Sequence, residues 1–375
     1  MTWKDRIKKE LRLERLVLKV FKGAITWTDQ VKARQTHVFM RGKRRVLTIP
    51  HKTKMKCYRL INHWFRLRSL NKPCMQSIGG EIGKSRFSVV DSRLIKMIRS
   101  MSSHSRIHGQ PTVKESLNPD NMVLIKVDLR NAFGSVHSSS IATVLLKWAK
   151  RELGELLAVG NQKHKLVFQR TQTMVFLVDH VDEIAEVLCY KNFLPIGFPT
   201  SPLVFNTVMT KVDQRIRGLV EYVIRNFREV YCLSYARTVD SNLIPYGPDY
   251  HRYVDDLSIV CHRNHAWMAK IVHHILESEG YTVNKSKSRT VPSRSGWNTL
   301  GLTPLVETYF APKKLRRKLR HLVWRGKTLG DTAAVITAQG IVNSIPRPEY
   351  RHYLCTRYGI PPTNDPPSGV VIAPI

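Results

Sequence analysis

The chain has 375 residues, with 61 Lys or Arg against 28 Asp or Glu, which gives a formal net charge of +33. Apolar residues make up 42% of the chain, which is typical of a globular protein with a sizeable core and excludes a largely disordered one. An excess of positive charge this large favours a polyanionic partner. We find no apolar run of 18 residues and no signal peptide, so we expect no membrane partner.

The cysteines are informative by their spacing. None of the six forms a Cys-x-x-Cys pair. Neither a zinc site nor a disulfide framework is therefore predicted, and the composition fits a protein of the reducing cytoplasm.

The first 50 residues predict a helix followed by a hairpin. Residues 1–34 form a basic segment with apolar residues at helical spacing, which predicts an amphipathic helix. Residues 35–50 alternate around a glycine turn and predict a basic hairpin that carries Arg44 and Arg45. These cations are placed to meet phosphates, although a solubilising loop tip would have the same composition.

Two apolar stretches bring carboxylates to strand ends. Residues 122–129 predict a buried strand that ends on Asp128, and residues 251–260 predict a hairpin with Asp255 and Asp256 at its tight turn. Adjacent carboxylates repel, so both ionise readily only near a cation. If the two strands are neighbours, three carboxylates can hold two Mg²⁺ ions about 4 Å apart, a geometry suited to nucleotidyl transfer. Mn²⁺ is the alternative ion, and a solvated turn is the alternative interpretation.

Helices are predicted on either side of a proline-rich loop. Residues 138–192 are rich in Leu, Ala and Val, and the loop that follows contains Pro199, Thr200 and Ser201. Apolar spacing resumes after this loop, so its helix could offer N-terminal amides to an anion or a base pair. A further helix is expected from Asn264, its predicted N-cap, to Gly280.

A basic helix and a proline-rich tail close the chain. The helix begins at Pro312 and has seven cations beside a stripe of leucine and valine, which favours a grip on a nucleic-acid backbone over a merely soluble face. Residues 361–375 are proline-rich and are expected to be extended or disordered. The cations predicted to contact nucleic acid are Lys313, Lys314, Arg316 and Arg317.

Taken in order, these blocks resemble those of bacterial reverse transcriptases, close to retron and group II intron enzymes and to defence-associated relatives. Ile196 stands where relatives usually have glutamine. The matching blocks are Asp128 to Phe133 and Leu194 to Asn206 for the first two palm motifs, Arg252 to Asp256 for the third, Gly280 with Asn284 and Lys287 for the fourth, Thr299 to Leu302 for the primer grip, Pro312 onward for the thumb, and Arg44 to Pro50 for the start of the fingers.

The resemblance implies an α+β protein with the right-hand polymerase fold of fingers, palm and thumb, whose antiparallel palm sheet is flanked by helices. It implies a chain divided into an N-terminal basic helical segment at 1–34, fingers at 35–121, a palm at 122–306 with a helical insertion at about 138–192, a helical thumb at 307–360 and a tail at 361–375.

The resemblance also implies roles for individual residues. Asp128 and Asp255 would bind both metal ions with support from Asp256, and Phe133 would exclude a 2′-hydroxyl. Lys287 would protonate pyrophosphate, unless it forms a merely structural ion pair. The remaining expected contacts are nucleotide-binding for Arg44, Arg45, Pro199, Thr200 and Ser201, and primer-holding for Leu300 and Gly301.

The expected function is an RNA-directed DNA polymerase that joins dNTPs on an RNA template. We expect the template to be a dedicated non-coding RNA and the product to be DNA or an RNA–DNA hybrid, with a role in antiphage defence. An effector protein and a homo-oligomer are open as further partners. Two alternatives remain: an RNA-dependent RNA polymerase, which shares the palm chemistry, and a non-catalytic RNA-binding scaffold, which the basic charge alone would serve.

Overall fold

A computed structural model describes most of the chain. It covers residues 2–40, 43–68, 70, 122–158, 165–227, 249–292, 303–304, 309–310, 313–343 and 348–360. The described residues fall into two compact units. The first contains the described residues from 2 to 70, from 125 to 227 and from 249 to 290, and the second contains residues 122–124 and those from 291 onward.

The N-terminal part confirms the predicted helix and hairpin. The first helix begins with a capping box, in which Thr2 Oγ1 accepts the Asp5 amide at 3.2 Å and the Asp5 carboxylate accepts the Thr2 amide at 3.1 Å. The hairpin strands pair antiparallel, with Met40 opposite Lys43. The elements are α1 (Trp3–Ala24), α2 (Asp29–Lys32), β1 (Ala33–Met40), β2 (Lys43–Pro50) and α3 (Lys52–Leu67).

A buried acid fastens α1 to its neighbours. Glu14 is fully buried, and its carboxylate accepts hydrogen bonds from Trp64 Nε1 at 2.9 Å and Arg68 Nε at 2.9 Å. Arg170 Nη2 donates to Glu10 at 3.2 Å, one helical turn earlier on α1. Because a buried charge is costly without partners, this cluster fixes where α1 packs.

A four-stranded sheet brings the predicted acids together. The sheet has the order β4-β5-β3-β6, so β5 and β3 are neighbours, which is the condition under which the three acids can meet. In the β4–β5 hairpin Tyr253 pairs with Asp256, which makes Val254 and Asp255 the two turn residues. The predicted turn is therefore displaced by one residue, and Asp256 begins β5. The strands are β3 (Met122–Asp128), β4 (Asp249–Tyr253), β5 (Asp256–His262) and β6 (Arg289–Pro292).

Helices cover this sheet, and one prediction about them was wrong. Asn264 is not the N-cap of a helix, because His262 Nδ1 accepts the Asn264 amide at 3.2 Å and caps a short 3₁₀ turn, Arg263–His265. The α-helix begins at Met268 instead and ends before Gly280, whose φ is +82°. The helices are α4 (Ser138–Ala158), α5 (Lys165–Asp179), α6 (Val181–Leu188), α7 (Ser201–Val208), α8 (Thr210–Asn226) and α9 (Met268–Ser278).

The second unit is mainly helical. Its core contains Leu319, Ala338 and Leu354, one from each of three helices. The elements are the short strands β7 (Thr303–Pro304) and β8 (Tyr309–Phe310), followed by α10 (Lys313–Leu329), α11 (Thr332–Asn343) and α12 (Pro348–Tyr358). None of the helices that the structure describes is long and apolar enough to span a membrane.

Candidate active site

Three carboxylates gather at one end of the neighbouring strands β3 and β5. Asp128 is the last residue of β3, Asp255 lies in the β4–β5 turn and Asp256 opens β5. All three are half-buried. Within the described ranges, no three His, Cys, Asp or Glu side chains form a ready-made metal cage.

Asp128 is held by a turn after α9. Lys287 Nζ donates to both of its carboxylate oxygens, at 3.0 and 2.8 Å, and Asn284 Nδ2 donates to Oδ2 at 3.0 Å. The main chain is fixed as well, because the Asn284 amide donates to the Asp128 carbonyl at 2.8 Å and the Asp128 amide donates to Ser288 Oγ at 3.1 Å. The predicted fourth motif therefore orients the predicted first metal ligand.

The electrostatics of the site suit a divalent cation. Burial raises the pKa of Asp255, and the nearby charge of Asp128 adds to this, while Lys287 and Arg45 act in the opposite direction. Burial, followed by the charges of Asp255 and Asp128, raises the pKa of Asp256 to about 6. Two carboxyl groups with raised pKa values, lying beside a third carboxylate, offer the oxygen donors that a hard cation such as Mg²⁺ prefers, and the cation would relieve their repulsion.

Lys126 is a site residue that sequence reasoning missed. It precedes Asp128 by two positions on β3, which places both on the same face of the strand. Burial lowers the pKa of Lys126, while the charges of Asp256 and Asp128 act in the opposite direction. The signal was present in the sequence as a lysine inside an otherwise apolar strand.

The turn that carries Asp255 is strained. Val254 has φ +56°, a left-handed conformation that a β-branched residue rarely adopts. Such a conformation costs on the order of 1–3 kcal/mol and persists where its surroundings enforce it. The Val254 carbonyl accepts a hydrogen bond from Arg252 Nη1 at 2.8 Å.

The Phe133 ring packs against another aromatic ring. It begins a short 3₁₀ turn five residues after Asp128 and is half-buried. Its ring stacks on Phe205 of α7, with ring centroids 4.9 Å apart and planes inclined by 27°. The contact packs the Phe133 ring against α7, beside the strand that ends on Asp128.

The proline-rich loop docks on the basic hairpin. The Thr48 amide of β2 donates to the Ile196 carbonyl at 2.9 Å. Gly197 has φ +122°, and a Cβ there would lie 2.5 Å from the Thr48 carbonyl oxygen, so only glycine fits. This contact ties the loop to the strand that carries the exposed Arg44 and Arg45.

The rest of the predicted nucleotide contacts lie where that loop enters α7. Pro199 is half-buried, whereas Thr200 and Ser201 are buried. Neither hydroxyl has a hydrogen-bond partner among the described residues. The residues predicted to hold the primer, Leu300 and Gly301, lie outside the described residues.

The predicted nucleic-acid contacts of α10 belong to the second unit. Arg316 and Arg317 are exposed on this helix. The side chains of Lys313 and Lys314 lie outside the described part of the structure, which gives only their helical backbone.

Carboxylates on neighbouring strands of a small helix-covered sheet are the arrangement of a nucleotidyl-transferring polymerase palm. The sequence pattern of the family described as "Reverse transcriptase (RNA-dependent DNA polymerase)" matches residues 49–304. The chain belongs to the reverse transcriptase family, whose members are RNA-directed DNA polymerases with the right-hand fold. It is 25% identical over 290 residues to the retron Ec86 reverse transcriptase of Escherichia coli. The aligned region covers 69% of this chain and 82% of that protein.

Solved structures with similarity to the chain include two telomerases. Apo telomerase from Candida tropicalis, truncated from its C-terminal domain, has a TM-score of 0.44 at 13% identity. The matched region covers 76% of this chain and 56% of the telomerase chain. Telomerase from Candida albicans in complex with a fragment of telomeric RNA has a TM-score of 0.42 at 11% identity. The matched region covers 87% of this chain and 56% of the telomerase chain. The chain thus spans a little over half the length of these telomerase chains.

Proposed function

We propose that this reverse transcriptase joins dNTPs by a two-metal mechanism centred on Asp128, Asp255 and Asp256. The observation that carries the proposal is that these carboxylates lie on neighbouring strands and that burial and mutual repulsion raise the pKa of Asp255 and Asp256. Mg²⁺ is the proposed ion, with Mn²⁺ as a substitute. When bound, the ions would lower the pKa of the primer 3′-hydroxyl and stabilise the charge on the leaving pyrophosphate.

Two cations complete the proposed chemistry. In the reaction the primer 3′-hydroxyl would release its proton to water and its oxygen would form a bond to the α-phosphorus. The bond from that phosphorus to pyrophosphate would break, and pyrophosphate would take up a proton. Lys287, which contacts Asp128 at 2.8 Å, is the proposed donor of that proton. Arg45 lowers the pKa of Asp255 through space, so we propose that it and Arg44 neutralise the triphosphate.

Phe133 is the proposed sugar gate. A ring stacked firmly on Phe205 cannot move aside easily, so it would clash with a 2′-hydroxyl and favour deoxynucleotides. We propose that the buried hydroxyls of Thr200 and Ser201, with Pro199, form the nearby nucleotide-binding edge.

We further propose that the five segments expected from the sequence act as basic N-terminal segment, fingers, palm, thumb and tail. Leu300 and Gly301 would hold the primer, and α10 would grip the nucleic-acid backbone through Lys313, Lys314, Arg316 and Arg317. The chain is similar to a retron reverse transcriptase. We propose a dedicated non-coding RNA as its template and a cytoplasmic role in antiphage defence. An effector protein and a second copy of this chain are the further partners to test.

The test combines primer extension with a paired substitution. Asp255→Asn with Asp256→Asn should abolish dNTP incorporation on an RNA template, because these groups hold cations, while the melting temperature and RNA affinity stay close to wild type. The control is Asp182→Asn with Glu183→Gln, which neutralises two adjacent exposed acids of α6. Incorporation by the palm double variant at the control's rate would overturn the proposal.

The template proposal needs a different measurement. RNA that copurifies with the chain from its native host should be sequenced, together with any DNA joined to it. A single enriched non-coding RNA with complementary DNA is the expected result, and a broad sample of cellular RNA would contradict it.

A further inference from the structure

A fully buried arginine lies three residues before Asp255. The Arg252 guanidinium forms a fork with Asp213 of α8, in which Nε donates to Oδ1 at 2.8 Å and Nη2 donates to Oδ2 at 2.6 Å. The Tyr250 hydroxyl donates to the same Oδ1 at 2.5 Å. Two parallel hydrogen bonds inside a core leave the guanidinium a single orientation.

The remaining nitrogen reaches the strained turn. Arg252 Nη1 donates to the Val254 carbonyl at 2.8 Å and to Asn206 Oδ1 of α7 at 2.8 Å. The Val254 carbonyl belongs to the peptide that joins Val254 to Asp255, so the hydrogen bond fixes the plane from which the Asp255 side chain departs. This contact supplies the enforcement that a valine at φ +56° requires.

The same guanidinium also faces the ring on which Phe133 stacks. Arg252 Cζ lies 5.8 Å from the centroid of the Phe205 ring, and the Phe205 ring stacks on Phe133. One buried cation therefore donates a hydrogen bond to the turn that carries Asp255 and lies within cation–π distance of the ring that supports Phe133. Lysine could not replace it, because an ammonium lacks a planar fork that meets separate acceptors in fixed directions.

We propose that Arg252, held by Asp213 and Asn206, is a positioning residue that sets the Val254–Asp255 turn for cation binding and, through Phe205, sets the Phe133 ring for sugar selection. The proposal rests on the two-metal function proposed above. It assigns a role in the reaction to Asn206, the last residue of the second palm motif.

The first variant to test is Arg252→Lys, in the full-length chain. Mn²⁺ binding, measured by electron paramagnetic resonance without substrate, should weaken by about 10–100-fold, as when a group that orients a metal ligand is removed. The kcat for dNTP incorporation should fall by about 10²-fold, which is the effect of misplacing a reacting group by about 1 Å. Preference for dNTPs over rNTPs should narrow, while RNA affinity should stay unchanged.

The second variant distinguishes positioning from general stability. Glycine adopts positive φ without strain, so Val254→Gly removes the need for enforcement at the turn. In the Arg252→Lys background, Val254→Gly should restore part of the Mn²⁺ affinity and kcat. The same glycine in the wild-type background should bring no gain.

The third variant keeps the proposal testable if Arg252→Lys does not fold. Asn206→Leu keeps the branched shape of the side chain, removes its amide and does not alter either partner of the Arg252–Asp213 fork. Mn²⁺ affinity and sugar preference should therefore change in the same direction as in Arg252→Lys, by a smaller factor. The control is Arg217→Lys, also on α8, whose exposed ion pair with Glu221 spans 2.7 Å.

Two outcomes would overturn the proposal. One is a folded Arg252→Lys or Asn206→Leu variant that melts earlier but retains wild-type Mn²⁺ affinity, kcat and sugar preference. The other is a defect in Arg252→Lys that Val254→Gly does not relieve. If the wild type itself incorporates no dNTP, the proposed function fails instead, and the Mn²⁺ titration still decides the role of Arg252.

Discussion

Lys287 Nζ lies 2.8 Å from Asp128 Oδ2, although the two residues are 159 positions apart in the chain. This contact makes the two proposed roles of the lysine, proton donor and structural partner, separable by experiment. Lys287→Arg preserves a positive charge beside Asp128 but gives up a proton far less readily.

We predict that Lys287→Arg lowers kcat by about 10²–10⁴-fold with little change in the KM for dNTP, the range expected when a general acid is removed. Pre-steady-state incorporation at saturating dNTP measures the step directly. Lys287→Leu serves as comparison, because it removes both charge and proton. If Lys287→Arg is as fast as wild type while Lys287→Leu is slow, the lysine acts as an ion-pair partner only.

Sugar selection provides the second prediction. Phe133→Val should let ribonucleotides compete, because removal of a steric clash changes discrimination by on the order of 10²-fold. Single-nucleotide extension with each sugar, wild type beside variant, is the measurement. Phe168→Ala is the control for removal of a ring, since Phe168 is 57% exposed on α5.

The outcomes of that experiment separate the polymerase classes. A wild type that already prefers ribonucleotides would favour an RNA polymerase. A wild type that prefers deoxynucleotides, with a variant of unchanged selectivity, would place the gate elsewhere and leave Phe133 as a packing residue.

The third prediction concerns the contact between the proline-rich loop and the hairpin. Gly197→Ala should impair both stability and dNTP binding, because the added Cβ would lie 2.5 Å from the Thr48 carbonyl and the backbone φ is +122°. Gly218→Ala is the matched control on α8, where a Cβ meets nothing within 4 Å. That control should stabilise the protein by about 0.5–1 kcal/mol. Chemical denaturation of both variants compares their free energies of unfolding. Equal changes in the two variants would contradict the prediction for Gly197.

The fourth prediction concerns the cations of α10. Alanine at Arg316 and Arg317 should weaken nucleic-acid binding and flatten its dependence on salt, by about 0.7–0.9 in log–log slope for each phosphate that the helix no longer neutralises. Adding alanine at Lys313 and Lys314 should flatten it further. The control removes two exposed lysines of α4, Lys147 and Lys150. An unchanged slope in the α10 variants would identify a merely soluble face.

The fifth prediction concerns the buried acid of α1. Glu14→Gln should destabilise the chain by about 3–5 kcal/mol, because it leaves the buried Arg68 guanidinium without its main counter-charge. Glu221→Gln breaks an exposed ion pair and should cost less than about 1 kcal/mol. Urea denaturation measures both. Similar midpoints for the two variants would show that the cluster around Glu14 contributes little.

Local patterns explain what could be predicted from the sequence. The first helix, the basic hairpin and the strand ending on Asp128 each depend on residues close in the chain, so periodicity and turn chemistry suffice. The start of α9 was misplaced, because the His262 side chain caps a 3₁₀ turn where an Asn264 cap was expected. Propensity alone does not distinguish two neighbouring side chains that compete for one amide.

Contacts between distant elements could not be predicted in this way. The fork between Arg252 and Asp213 joins residues 39 positions apart, and neither residue marks itself as buried in the sequence. The contact of Thr48 with Ile196 likewise depends on how strand β2 and the proline-rich loop meet in space. The roles of the predicted site residues stay predictions until the variants above are measured.

The cluster around Glu14 has a consequence for how the chain is made. Synthesis produces α1 before the partners of its acids, which come from α3 and, for Glu10, from Arg170. A ribosome must therefore add 160 residues after Glu10 before the first helix can meet Arg170. Until then the Glu10 carboxylate lacks its contact with Arg170, so α1 is not fully held in its final position. Early fragments of this protein should therefore be more exposed to proteases than their hydrophobic content suggests.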